Sequence, residues 1–170
     1  MKLREISLKN FRCLKDITIP IDDITVLIGE NNSGKTALLE ALRFALPPRF
    51  NQSNPFEEYD YYMTCNSDSP QTSDGIVIEL LFKEDNAGEW QDSLIQALSE
   101  IVQTEPIGDI DSIMLRISSK YDEATGDIVP KWEFLDLAHQ ALGGKGGNIN
   151  NHSKFLSYIK FFYLSALRDL

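Results

Sequence analysis

The stretch from Ile24 to Leu46 reads ITVLIGENNSGKTALLEALRFAL, and it constrains the fold more than any other part of the chain. Ile24 to Ile28 form a continuous, largely β-branched apolar run, the pattern of a strand buried on both faces. The run passes into an octet holding two glycines, two asparagines and a serine. From Gly34 the chain continues as GKTALLEALRFAL, apolar nearly all round, which predicts a deeply packed helix stopped by Pro47 and Pro48. Buried strand, glycine-bearing turn and helix in direct succession point to an α/β fold.

The octet Gly29-Glu30-Asn31-Asn32-Ser33-Gly34-Lys35-Thr36 fits the pattern G-x-x-x-x-G-K-[ST]. A triphosphate is a dense anion and needs many donors at short range. Successive backbone amides in such a loop can point inward, and the start of the following helix adds unpaired amides and its dipole to the same focus. In this arrangement Gly29 and Gly34 supply the turn, and Gly34 permits close backbone approach. Asn31, Asn32, Ser33 and Ala37 contribute to the loop and the first helical turn. Lys35 reaches the β- and γ-phosphates, and Thr36 places its hydroxyl on Mg²⁺. ATP and Mg²⁺ are therefore the expected cofactors.

The flanking segments supply a sheet. Leu3, Ile6 and Leu8, then Ile17, Ile19 and Ile21, read as two half-buried strands paired antiparallel through NFRCLKD, with Pro20 favouring an edge. IVIELLF (76–82) is another strand. In NAGEWQDSLIQALSEIVQ, residues Trp90, Leu94, Leu98 and Ile101 share a helical face, and Asn86 with Glu89 suits its N-terminal cap. SIMLRISSKYD and IVPKWEFLDL flank a hairpin turn at EATGD. Residues 47–74 and 143–153 read as loop-rich excursions, and KFFYLSAL as a strand.

Composition narrows the class. The 170 residues are 42% hydrophobic and 25% charged, an ordinary globular balance, with a net charge of −10. That balance argues against a self-sufficient nucleic-acid grip, which needs a basic face. Cys13 and Cys65 are too few for a disulfide framework and read as reduced, partly buried thiols. Charges interrupt every apolar run near Met1, and the most apolar tract, Phe155 to Leu167, is broken by Lys160. A soluble, cytoplasmic protein with no membrane partner is the expectation.

With these residues in view, ISLKNFRCLKDITIPIDDITVLIGENNSGKTALLEAL resembles the N-terminus of ABC-type ATPase heads of the SMC/RecF class, a P-loop NTPase fold. IVIELLF and KFFYLSALRD are similar to pieces of the OLD family of ATP-dependent nucleases. The resemblance implies ATP bound between two heads, so a second copy is an expected partner. It also implies a carboxylate-rich Toprim domain that cuts DNA, a role in antiphage defence, and an accessory defence protein as a further partner. Arg12 of NFR matches an arginine that approaches the nucleotide in related heads; on residues alone it is equally a surface strand arginine. Asn32 stands where glycine is more usual. The alternatives are a RecF- or SMC-like repair or chromosome-organising head, and a module that binds nucleotide without turnover.

Hydrolysis further needs a carboxylate for Mg²⁺ and a group orienting water. The class draws both from an apolar strand ending in Asp-Glu. IELLFKED fails because Lys83 interrupts, leaving Glu84-Asp85; EFLDLA has too short an apolar approach to Asp136. ALGGKGG lacks the serine of a signature turn. Catalytic residues are therefore unassigned. Glu133, Asp136 and His139 fall at i, i+3 and i+6, where water is a better neighbour than metal. His139 and His152 stand alone, and Arg168-Asp169 falls where related ATPases carry switch residues. The chain is expected to be the N-terminal part of a larger ATPase whose remaining domains, including any nuclease, lie outside it.

Overall fold

Alternating burial builds the sheet. The computed structural model describes residues 1–50, 53–64 and 68–164. Strand β1 (Lys2–Phe11) buries Ile6 and Leu8 completely while Ser7 and Lys9 turn to the other face. The left-handed backbone at Asn10 (φ 53°) breaks that alternation, and Phe11 is also buried. A tight turn at Arg12 and Cys13 leads to β2 (Leu14–Pro20), paired antiparallel in the register Ile6↔Ile19 and Leu8↔Ile17. Pro20 sits on this edge strand, where the lost amide donor is harmless.

On the other side of β1 lies β3 (Ile76–Lys83), which buries Ile76, Ile78, Leu80 and Phe82. Next come β4 (Gln103–Thr104), β5 (Asp111–Asp122) and β6 (Asp127–Leu135). β5 pairs with β3, and both β4 and β6 pair with the far side of β5, every pairing antiparallel. Gly126, at φ 73°, closes the β5–β6 hairpin.

One face of the sheet is covered. Helix α1 (Lys35–Ala45) lays Ala37, Leu38, Ala41 and Ala45 on it. Phe11, Phe44 and Phe56 meet edge to face, with centroids 5.4 to 6.4 Å apart. Helix α2 (Asp92–Ala97) is short, and α3 (Asn150–Tyr158) packs Phe155 against Phe82 and Phe134. The opposite face is polar, and its charges neutralise one another: Glu79 pairs with Arg116 at 2.5 Å and Lys131 with Glu133 at 2.7 Å. No helix among the described residues is long and apolar enough to cross a membrane.

Several expectations need correction. Residues 24–28 form no strand, and Ile24, Val26 and Ile28 are 86%, 73% and 91% exposed. A strand exists only within a ladder, and no described strand pairs with this run. Helix α1 is covered along one stripe rather than all round; Leu39 is exposed and Arg43 turns outward to Glu40. The predicted cap at Asn86 starts no helix: Glu89 instead accepts a bond from the Asp85 amide, and α2 begins at Asp92.

The buried carboxylate of Glu84 explains the delay. It accepts hydrogen bonds from the amides of Trp90 and Asp111 and so holds residues 84–90 as a loop. The presumed loop 143–153 becomes α3 from Asn150. Glu133 lies in β6 and Asp136 to His139 form a turn, so the three share no helical face. Among the described residues no group of three His, Cys, Asp or Glu could hold a metal. Residues 160–164 form no strand, and Cys65, Arg168 and Asp169 lie outside the described residues.

His152 is buried between the rings of Phe50 and Phe134, at centroid distances of 4.8 and 4.6 Å. Burial pushes its pKa down from 6.5 to about 4, against a smaller upward pull from the Ile149 carbonyl. The folded protein therefore holds a neutral imidazole. Below pH 6.5 the unfolded chain takes up a proton that the folded one refuses. Stability from this group is intact above pH 6.5 and falls towards pH 4, by up to about 1.4 kcal/mol per pH unit. Urea denaturation of the wild type and His152→Leu across this range should show the wild type losing stability more steeply on acidification. Parallel curves would refute the assignment.

Candidate functional site

Two left-handed residues shape the loop that enters α1. Gly34 has φ 92° and ψ 1°, and Asn32 has φ 68°. Asparagine is among the few side chains that tolerate this region, so Asn32 takes the path a glycine would. Gly34 has no such substitute. A Cβ there would lie 2.6 Å from Leu14 Cδ2 and 3.3 Å from Cys13 Sγ. The β1–β2 turn thus touches the start of α1 only because Gly34 carries no side chain.

The first amides of α1 have no intrahelical acceptor. Gly34 offers no side-chain oxygen to them, and the first turn carries no acidic residue. The positive end of the helix dipole is left without a local counter-charge. Lys35 Nζ folds back over the loop, donating to the carbonyls of Gly29 (2.8 Å) and Glu30 (2.7 Å) and to Ser33 Oγ (3.3 Å). All three ammonium protons are engaged. The Ser33 amide donates to the Glu30 carbonyl at 3.3 Å, tightening the turn.

These residues border a cavity of about 720 Å³ walled by Arg12, Cys13 and residues 31–37. That size suits a small-molecule site. No carboxylate lines it. Asn31, Asn32, Ser33, Gly34, Lys35, Thr36, Ala37 and Arg12 are therefore brought together. Gly29 is the exception: it borders a smaller, more apolar hollow with Leu14, Ile17 and Ile28. Thr36 is exposed on the cavity wall and makes no hydrogen bond from its hydroxyl among the described residues.

Arg12 is no ordinary strand arginine. It lies in the β1–β2 turn at φ 52°, and its Nε donates to Asp60 Oδ1 at 2.8 Å. Two neighbours escaped the sequence reading. Cys13 is exposed and lines the cavity rather than being partly buried as expected, and its place beside Arg12 in the turn was the available signal. Asp60 lies 48 residues from Arg12 in an excursion without periodicity, and nothing local marks it.

Comparison with known proteins bears on this geometry. The AAA ATPase domain family matches residues 1–163. The chain is 30% identical over 174 residues to the endonuclease GajA of Bacillus cereus (strain VD045), aligning along 100% of its own length and 28% of the endonuclease. It is 43% identical over 44 residues to the OLD nuclease of Thermus scotoductus (strain ATCC 700910 / SA-01), which is 26% of this chain and 8% of that protein. RecF, a DNA replication and repair protein of Lactococcus lactis subsp. cremoris (strain SK11), is 32% identical over 78 residues, 45% of this chain and 21% of RecF. The chain thus spans little more than a quarter of the length of GajA and less of the other two.

Gly34→Ala should destabilise the fold by at least about 1 kcal/mol, since it combines a left-handed residue with a collision at Leu14. Asn32→Gly should shift stability by less than about 1 kcal/mol in either direction. Thermal unfolding of the two variants checks the pair. Equal effects would mean that the loop path described here is wrong.

Proposed function

The chain belongs to the AAA ATPase domain family, and from that premise we propose that residues 29–37 bind the phosphates of Mg·ATP. One observation carries the reading. An uncompensated helix start, a loop lysine and the turn arginine converge on a single cavity with no carboxylate in its wall.

In this reading the backbone amides at the start of α1 donate to the phosphate oxygens. Lys35 exchanges its bonds to Gly29, Glu30 and Ser33 for charge-assisted bonds to the β- and γ-phosphates. Thr36, with its hydroxyl uncommitted, would hold Mg²⁺ together with phosphate oxygens, the usual manner for a cation that keeps much of its water. The bound ion would neutralise charge on the transferring group. The residues of this cavity bind and orient. None of them is a carboxylate able to position an attacking water, so turnover is assigned to the whole protein.

We infer that the whole protein is an ATP-dependent DNA endonuclease of the OLD type. Alignment along the full chain to an endonuclease favours this over a repair ATPase, since the RecF likeness covers under half of the chain. ATP-controlled pairing with a second head, DNA contact outside this chain, an accessory defence protein and a role against phage follow from the same resemblance. Cleavage of a plasmid by the whole protein with Mg²⁺ separates the readings: a repair head leaves it intact.

Lys35→Ala should weaken Mg·ATP binding by at least about tenfold in calorimetric titration, the scale of one lost charge-assisted bond. In a Cys65→Ser background, Mg·ATP should also slow alkylation of Cys13, which faces the same cavity. Unchanged affinity in the lysine variant together with unprotected Cys13 would dispose of the site.

A further inference from the structure

We propose that Asp60 is a positioning residue for the phosphate site, and that through Arg12 it makes the segment 57–62 a part of that site. The proposal rests on the ATP-binding reading and deepens it.

Asp60 is 1% exposed, although it stands in an excursion of the chain rather than in the sheet. Every acceptor it has is used. Its carbonyl accepts the Arg12 amide at 2.7 Å, Oδ1 accepts Arg12 Nε at 2.8 Å, and Oδ2 accepts the Glu57 amide at 2.9 Å. The last bond closes the one-turn 3-10 helix Glu58–Asp60. The next residues extend the contact. Tyr61 bridges to Phe11, and the Tyr62 amide donates to the Asn10 carbonyl at 3.0 Å. Tyr61 itself is anchored to Ser119 in β5 at 2.8 Å. Residues 60–62 therefore clamp the β1–β2 turn from outside the sheet.

The clamp fixes a cation between two hollows, the one walled by Lys35 and Thr36 and a second walled by Phe44, Glu57 and Asp60. Arg12 has left-handed backbone, which costs a residue with a Cβ free energy, and its amide bond to Asp60 offsets that strain. Its guanidinium carbon lies 5.3 Å from the Phe11 ring centre and 5.9 Å from that of Phe44, so the fork is stacked as well as bonded. Nε is committed to Asp60, while the two terminal nitrogens make no hydrogen bond among the described residues. Arg12 walls the same cavity as Lys35 and Thr36. A planar fork held at one nitrogen has its other donors pre-aimed, which suits bidentate capture of a phosphate. An anion on those donors is then felt at Asp60, and order in 57–62 becomes linked to occupancy of the cavity.

The test uses the whole protein and Mg·ATP. Arg12→Ala, Asp60→Asn and the double variant are titrated beside Lys35→Ala. Asp60→Asn should weaken binding by about fivefold to tenfold, close to Arg12→Ala, and the double variant should be no worse than Arg12→Ala alone. A merely structural Asp60 would add its loss to that of Arg12→Ala. Hydrogen exchange on the wild type needs no variant: Mg·ATP should slow the amides of Arg12, Asp60 and Tyr62. If Lys35→Ala abolishes binding while Asp60→Asn binds normally and these amides are unmoved, the positioning role is refuted and the phosphate loop stands. If the wild type binds no Mg·ATP at all, the loop reading itself is refuted, and this proposal with it.

Discussion

Gly34 is the point on which the site turns. Its missing Cβ lets Leu14 and Cys13 press against the start of α1, and its left-handed backbone leads the chain into the helix at the cavity wall. Contact and orientation come from one residue. Because the β1–β2 turn is held there, Arg12 and Cys13 arrive on the same wall as Lys35 and Thr36. A Cβ at this position would collide with Leu14 and force turn and helix apart. The antiparallel sheet serves the site mainly as the rigid holder of that turn.

What could be read from the sequence followed the range of each signal. β1 and β2 were legible because alternation at Ile6, Leu8, Ile17 and Ile19 reports one buried face directly. That residues 31–37 share one cavity wall was legible because they are consecutive in the chain. The apolar run 24–28 was misread for the complementary reason. Its composition states what cover it wants, and burial depends on partners that composition does not name. Glu84 shows the same limit among polar residues. Lys83 already ruled out Glu84-Asp85 as the acidic pair of the family, but nothing local showed that Glu84 is a buried structural carboxylate occupied by two backbone amides. Asp60 had no local mark at all, since its partners lie across the fold.

The excursion between α1 and β3 is better described by its anchors than by its length. Phe56 fills the ring cluster of Phe11 and Phe44, Tyr61 reaches Ser119, and Asp60 takes both the amide and the side chain of Arg12. A segment with little regular structure is ordered by a few deep contacts, and the turn it grips is the one that touches the start of α1. Loops held in this way serve binding well, because their conformation is set from outside rather than by their own weak preferences.

Lys35 is bonded to its own loop. Its ammonium satisfies itself on two carbonyls and a hydroxyl of the very turn that would wrap a phosphate tail. On the proposed reading, phosphate binding would be an exchange rather than a simple gain. Three bonds to neutral acceptors would be given up for bonds to charged oxygens, and the difference, on the order of 1 kcal/mol per bond, would be what Lys35 contributes. The amides at the start of α1 have no protein acceptor and would exchange water for phosphate oxygens, so both backbone and lysine would contribute through bonds to charged acceptors.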